Sequence, residues 1–252
     1  MTATDTATAA KRLEWQLAEV RDIRSETYRV KSLLLELAQP LGHRAGQHVD
    51  IRLTADDGYQ AQRSYSISSA PEDELLSLTV ERVIDGEVSP YLVDELRVGD
   101  KLQLRGPIGS HFVWTSEASD PLSLIAGGAG VTPLMAMLRH RDRAPRRLPA
   151  LLLYSVRSLE DAIFRDELDA MARRDTGLNV IYALTRGQPE GWQGRRGRID
   201  KTLLAATHFP PSRRPTVYVC GPSGFVESIS GSLIELGFDA GLIKTERFGP
   251  SG

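Results

Sequence analysis

The chain carries one cysteine, Cys220, in 252 residues. A lone thiol rules out an internal disulfide and cannot supply the four thiolates that an iron–sulfur cluster usually takes, so any such cluster is expected on a partner. Long apolar runs are also missing. None approaches the roughly 20 residues needed to cross a bilayer, and the opening Met1-Thr-Ala-Thr-Asp-Thr-Ala-Thr has no apolar signal core, so a cytoplasmic location is expected. Nor is there an excess of either charge: 31 basic residues stand against 33 acidic ones, a formal net charge of -2. That balance gives no reason to expect a nucleic acid or an anionic membrane as partner, and favours small molecules or another protein. The histidines, at positions 43, 48, 111, 140 and 208, show no metal-ligand spacing, and no metal is expected.

What is present divides the chain in two. From Leu13 to Arg105 short apolar runs, Tyr28 to Leu37, Val49 to Leu53, Ser64 to Ser68, Leu75 to Val83 and Lys101 to Leu104, are separated by Gly, Pro, Asp and Ser. This reads as an antiparallel barrel or sandwich, with one short helix over Ser89 to Leu96. After Asp120-Pro121, strands at Leu122 to Ala126, Ala150 to Ser155, Leu178 to Leu184 and Thr216 to Cys220 alternate with helical faces. Phe164, Leu168, Met171 and Ala172 form one such face; Phe225, Ile229, Leu233 and Leu236 form another. The alternation argues for a doubly wound α/β domain with a parallel sheet. The expected divisions are a disordered start over residues 1–12, a barrel domain over 13–117 and an α/β domain over 118–252.

Three segments carry chemistry. Gly127-Gly-Ala-Gly-Val-Thr-Pro133 follows a strand and opens a helix, and such glycines let backbone N–H groups and a helix N-terminus approach a pyrophosphate. An ordinary tight turn is the alternative, and Pro133 stands where the usual fingerprint has a third glycine. Arg63-Ser-Tyr-Ser66 offers a guanidinium fork for phosphate, an aromatic face and a hydroxyl for a ring nitrogen; alone it also reads as a polar edge strand. Cys220-Gly-Pro222 ends a parallel strand where doubly wound sheets bind ligands, although a buried cysteine is usually inert packing.

Taken in this order, the three segments resemble the ferredoxin–NADP reductase superfamily over about residues 13 to 252. Asp85-Gly-Glu-Val-Ser89 and Gly106-Pro-Ile-Gly-Ser-His-Phe112 are similar too, and Thr245-Glu-Arg-Phe248 resembles the close of reductases that feed oxygenases. The resemblance implies that a flavin-binding β-barrel precedes a pyridine-nucleotide domain. It implies that Arg63 binds the flavin phosphate, Tyr65 lies against the isoalloxazine and the Ser66 hydroxyl approaches N5. Gly86, Val88 and Ser89 would help hold the flavin phosphates. Gly128, Gly130 and Thr132 would hold the nucleotide pyrophosphate, with Cys220 and Gly221 near the nicotinamide. Glu246 and Phe248 would close the other face of the flavin, so that Ser66, Cys220 and Glu246 surround the hydride path.

FAD is the expected flavin, with FMN as the alternative, and the expected acceptor is a separate ferredoxin, Rieske protein or oxygenase. A free-flavin reductase and a non-catalytic electron-transfer subunit are the competing readings. For the nucleotide, NADPH is favoured over NADH because Ser155-Val-Arg-Ser158 offers Arg157 beyond a strand end, and Thr185-Arg186 ends the next strand; Glu160 and Asp161 keep NADH open. The arginine-rich run Arg139 to Arg147 reads as a solvated loop at a helix C-terminus, or as a docking patch for an acidic ferredoxin.

Overall fold

The computed structural model describes residues 13–249, so the expectation for residues 1–12 lies outside it. The first half is an antiparallel six-stranded sheet made of β1 (Trp15–Thr27), β2 (Val30–Leu37), β3 (His48–Thr54), β4 (Gln60–Ser66), β5 (Leu76–Glu81) and β6 (Lys101–Ile108). Its order is β4-β3-β6-β1-β2-β5, and it closes on itself where Ile67 bridges Leu78 of β5. Closure removes the sheet edges. It also explains why β4 ends at Ser66 rather than Ser68: the chain leaves β3 there, and the Ser68 N–H donates instead to Ser77 O at 2.8 Å. Alternate residues such as Val20, Leu33, Leu35, Ile51, Leu78 and Leu104 are wholly buried inside. The short helix expected after Ser89 is present as a wide turn over Tyr91–Glu95.

Sequence reading missed β1, the longest strand of the barrel. Its stretch Trp15-Gln-Leu-Ala-Glu-Val-Arg-Asp-Ile buries few residues and has a register irregularity between Val20 and Asp22, so its alternation is broken.

The second half is a parallel sheet of β7 (Leu122–Gly127), β8 (Ala150–Val156), β9 (Leu178–Leu184), β10 (Arg195–Arg196), β11 (Thr216–Pro222) and β12 (Ile243–Phe248), in the order β10-β9-β8-β7-β11-β12. The helices are α1 (Val131–Arg143), α2 (Arg165–Arg174), α3 (Lys201–Thr207) and α4 (Ser223–Glu235). Buried strand residues alternate between two cores. Leu122, Leu124 and Leu152 pack with α1 and α2, whereas Ile125, Leu153 and Val219 pack with α3 and α4. Helices therefore cover both faces, as the continuous apolar strands require. The two-residue β10 and the terminal β12 were not anticipated as strands.

Two contacts fix how the halves meet. Val30, the first residue of β2, is buried in the same core as α1 and β7. The segment joining the halves is anchored by Tyr218, whose hydroxyl donates to Val113 O at 2.6 Å, while Phe112 packs edge-on against the Tyr218 ring.

Candidate functional site

In a doubly wound sheet, ligands bind beyond the carboxyl ends of the strands where the winding reverses, here between β7 and β11. Those strands are neighbours in parallel register, with Ala126 opposite Cys220. At this point the chain is unusually thin. A Cβ on Gly130 would stand 2.1 Å from Cys220 O, and one on Gly127 would stand 3.0 Å from the Phe225 ring. Gly130 thus lets the first turn before α1 lie directly on the end of β11. Gly128 is different, because it is exposed, has φ +55° and has open space where a side chain would go. It supplies a left-handed backbone that brings the turn round. Thr132 follows in the first turn of α1, 3% exposed, and its Oγ1 has no hydrogen-bond partner among the described residues.

A cavity of about 310 Å³ opens over this point. Gly127 to Gly130, Ser155, Arg157 and Thr185 line it from the α/β half, with Pro222 and Phe248 at the ends of β11 and β12 and Phe225 in the first turn of α4, and Thr27, Arg29 and Glu81 line it from the barrel. It is therefore a site between the halves. Arg157 and Arg186 are both exposed, and the Arg186 N–H donates to Arg157 O at 2.9 Å, which places the two residues side by side beyond β8 and β9.

On the barrel, Arg63 is exposed and its guanidinium donates to Glu87 Oε2 at 2.8 Å; the Tyr59 hydroxyl donates to the other oxygen of Glu87 at 2.7 Å. The arginine fork and the segment carrying Gly86, Val88 and Ser89 are thus adjacent. Gly86 is needed because a Cβ there would meet Ser89 Oγ at 2.9 Å, and that hydroxyl accepts from the Val83 N–H at 3.0 Å. The Val88 side chain lies in the barrel core, so only its backbone faces outward. Tyr65 is half-buried, and burial raises its phenol pKa. Ser66 is 4% exposed, with a buried Oγ that has no partner among the described residues.

The third group sits on β11 and β12. Cys220 is fully buried and pairs in register with Glu246, while Pro222 pairs with Phe248. Burial and the nearby Glu246 carboxylate raise the Cys220 thiol pKa well above its usual value, so the sulfur stays a neutral thiol rather than a nucleophilic thiolate. Burial pushes Glu246 from 4.5 up to about 7, and its Oε2 has no partner among the described residues.

Sequence reading missed Phe225, Arg29 and Glu87. Phe225 is one of many apolar residues on a helical face, and nothing local shows that it covers two glycines. Arg29 and Glu87 matter through residues far away in the sequence.

The arginine-rich segment needs correction. Its helical part is not a free basic patch, because Arg139, His140, Arg141 and Arg143 are paired within the chain, while Arg146 is exposed in the loop after α1. Arg139 donates to Ser68 O of the barrel at 2.7 Å and grips Glu167 of α2. His140 meets Glu72 at 2.5 Å and Arg143 meets Asp73 at 2.5 Å, both across the interface between the halves. Arg141 is 1% exposed and pairs with Asp175 at 2.6 Å.

Comparison with known proteins agrees with this geometry. The chain matches the family described as Oxidoreductase FAD-binding domain over residues 14–113 and the one described as Oxidoreductase NAD-binding domain over residues 124–231. It is 31% identical over 230 residues to the glycine betaine monooxygenase reductase subunit of Pseudomonas aeruginosa, covering 90% of this chain and 62% of that protein. It is 30% identical over 243 residues to NADH-cytochrome b5 reductase 1 of Ajellomyces capsulatus, covering 92% of this chain and 77% of that one. The FAD/NAD-binding domain of a nitric oxide dioxygenase from Vibrio cholerae superposes with a TM-score of 0.83 at 28% identity, over 93% of this chain and 99% of that domain. The chain thus spans less than two thirds of the oxygenase reductase it matches, while aligning with the whole of an isolated FAD/NAD-binding unit. With both domains matched in this order around a cavity at the switch point, the chain belongs to the ferredoxin–NADP reductase superfamily.

Proposed function

We propose that the chain is an NAD(P)H-dependent flavoprotein reductase that takes hydride onto bound FAD and passes electrons to a separate ferredoxin, Rieske protein or oxygenase. The observation that carries this reading is the cavity itself, which has a glycine turn and a helix N-terminus on one wall and barrel residues on the other. Chemistry between two bound cofactors needs that arrangement, since the protein's task is to hold them together and keep water out. When bound, FAD accepts the hydride and gives the electrons up singly.

The residues fit these groups. Of the buried oxygens without a partner among the described residues, three, Ser66 Oγ, Thr132 Oγ1 and Glu246 Oε2, belong to residues assigned to these groups. Buried polar atoms usually find a partner, and a bound ligand is one way to supply it. Arg63, with Gly86, Ser89 and the backbone of Val88, would hold the flavin phosphates; Tyr65 would lie against the ring and the Ser66 hydroxyl would be presented to N5. Gly128, Gly130 and Thr132 would hold the nucleotide pyrophosphate at the α1 N-terminus. Cys220 and Gly221 would form the floor under the nicotinamide, and Phe248 would cover the flavin. Glu246 can hold a proton on its carboxyl near neutral pH, beside that floor.

NADPH is the proposed donor, supported by Arg157 and Arg186 lying exposed and adjacent beyond β8 and β9. An oxygenase-type acceptor is supported by the name of the Pseudomonas aeruginosa relative, a monooxygenase reductase subunit. The test is to purify the protein, measure its flavin by release and chromatography, and follow one-electron reduction of candidate ferredoxins, Rieske proteins and cytochromes with NADPH. Stoichiometric FAD and turnover with a protein acceptor are expected. A protein that binds no flavin tightly but reduces added riboflavin would make it a free-flavin reductase instead.

A further inference from the structure

One wall of the nucleotide cavity is built by a residue of the other half. Arg29, in the turn between β1 and β2, reaches into the cavity that Gly127 to Gly130 line from across the interface. Its position is fixed from both sides. Val30 is buried in the core beneath α1, and Arg29 O accepts from the Arg82 N–H at 2.9 Å. The guanidinium is part-exposed and lies between two carboxylates, Glu81 of the barrel at 3.1 Å and Asp161 of the α/β half at 3.7 Å. The first distance is a close ion pair. The second exceeds hydrogen-bond reach, so Asp161 holds Arg29 by charge alone.

We propose that Arg29 is a nucleotide-positioning residue, which leaves Asp161 for the pyrophosphate of the bound nicotinamide dinucleotide and so gives the barrel a direct contact with the nucleotide. The proposal rests on the reading of this cavity as the nucleotide site. A pyrophosphate carries more charge than one carboxylate and accepts the paired N–H donors of a guanidinium, so it outcompetes a contact at 3.7 Å. Glu81 keeps its pair and sets the direction from which Arg29 approaches. Asp161 also accepts from the Ser158 hydroxyl at 3.1 Å, which keeps the carboxylate in place once Arg29 has moved. Because the pyrophosphate is common to NADH and NADPH, Arg29 acts on both alike, unlike Arg157.

The test is a double-mutant cycle with binding of oxidised nucleotide, NADP⁺ and NAD⁺ separately, to the FAD-loaded protein by calorimetry. Arg29→Gln is expected to weaken both nucleotides by about tenfold, the lower end for a hydrogen bond to a charged group. Asp161→Asn, which frees Arg29 and keeps the acceptor for Ser158, is expected to tighten both by about threefold, and this gain is expected to vanish in the Arg29→Gln background. A gain from Asp161→Asn that persists without Arg29 would show only a general charge effect and overturn the proposal. So would a loss confined to NADP⁺, or none at all. If the unaltered protein binds neither nucleotide, the assignment of the cavity fails instead, and the two failures are thereby distinguished.

Discussion

Glu246 and Cys220 are neighbours in register on β12 and β11, the thiol buried with a raised pKa and the half-buried carboxyl with one buried oxygen lacking a partner among the described residues. Burial without a cation leaves the carboxylate form of Glu246 costly, which is why its pKa rises from 4.5 to about 7. Between those values the folded protein keeps a proton that the unfolded chain has released. Stability of the flavin-free protein should therefore fall as pH rises across that window, and stay at the lower level above it. Glu246→Gln should flatten the slope and stabilise the protein at about pH 8 by up to about 3 kcal/mol, each tenfold change in proton affinity being worth roughly 1.4 kcal/mol. Denaturant unfolding across pH checks this; parallel profiles for the two proteins would mean the carboxyl is solvated.

Ser66 gives a prediction with opposite signs for stability and chemistry. Its hydroxyl is buried and unpartnered, so Ser66→Ala should leave the flavin-free protein as stable or more stable, by about 1 kcal/mol. The same change should slow flavin reduction by at least about tenfold, since one positioned hydrogen bond is lost. Stopped-flow reduction at the unaltered rate would remove Ser66 from the site.

The turn glycines separate packing from ligand binding. Gly130→Ala drives a methyl into Cys220 O and should cost about 3 kcal/mol of stability whether or not nucleotide is present. Gly128→Ala meets open space and should cost only about 1–2 kcal/mol, through its left-handed backbone. Thermal unfolding of both variants decides it, and equal losses would contradict the geometry.

Arg63 is held by Glu87, and flavin phosphate would have to share or displace that pair. Arg63→Ala should weaken FAD retention by about tenfold or more, while Glu87→Gln should strengthen it modestly. Equilibrium dialysis with flavin fluorescence measures both; undiminished FAD in the Arg63 variant would remove this residue from the phosphate site.

Much of this was legible in the sequence, for physical reasons. Short alternating runs followed by buried strands and helical faces differ in period, so the two halves separated on pattern alone. The turn Gly127 to Pro133 and the end Cys220 to Pro222 were readable because strand, glycine and helix follow one another locally. The rest depends on contacts between distant segments. Arg139 meets Ser68, His140 meets Glu72 and Arg143 meets Asp73, and the partners are 71, 68 and 70 positions away. A run of arginines with no visible partner reads as solvated, which is why that expectation failed for the part of the run that lies in α1. β1 was missed because its polar outer face and its register irregularity hide the period of two.

In the function proposed above, nucleotide reduces a flavin held by this chain, and Arg157 selects NADPH. The most direct measurement is anaerobic stopped-flow reduction of the purified protein by NADPH and by NADH, repeated with Arg157→Ala. Loss of the flavin's visible absorption is expected with both nucleotides, at lower concentration of NADPH, and Arg157→Ala should weaken only the NADPH response, by about tenfold for one charge-assisted hydrogen bond. A bound flavin that neither nucleotide bleaches would contradict the account, and a preference for NADH in the unaltered protein would overturn its choice of donor.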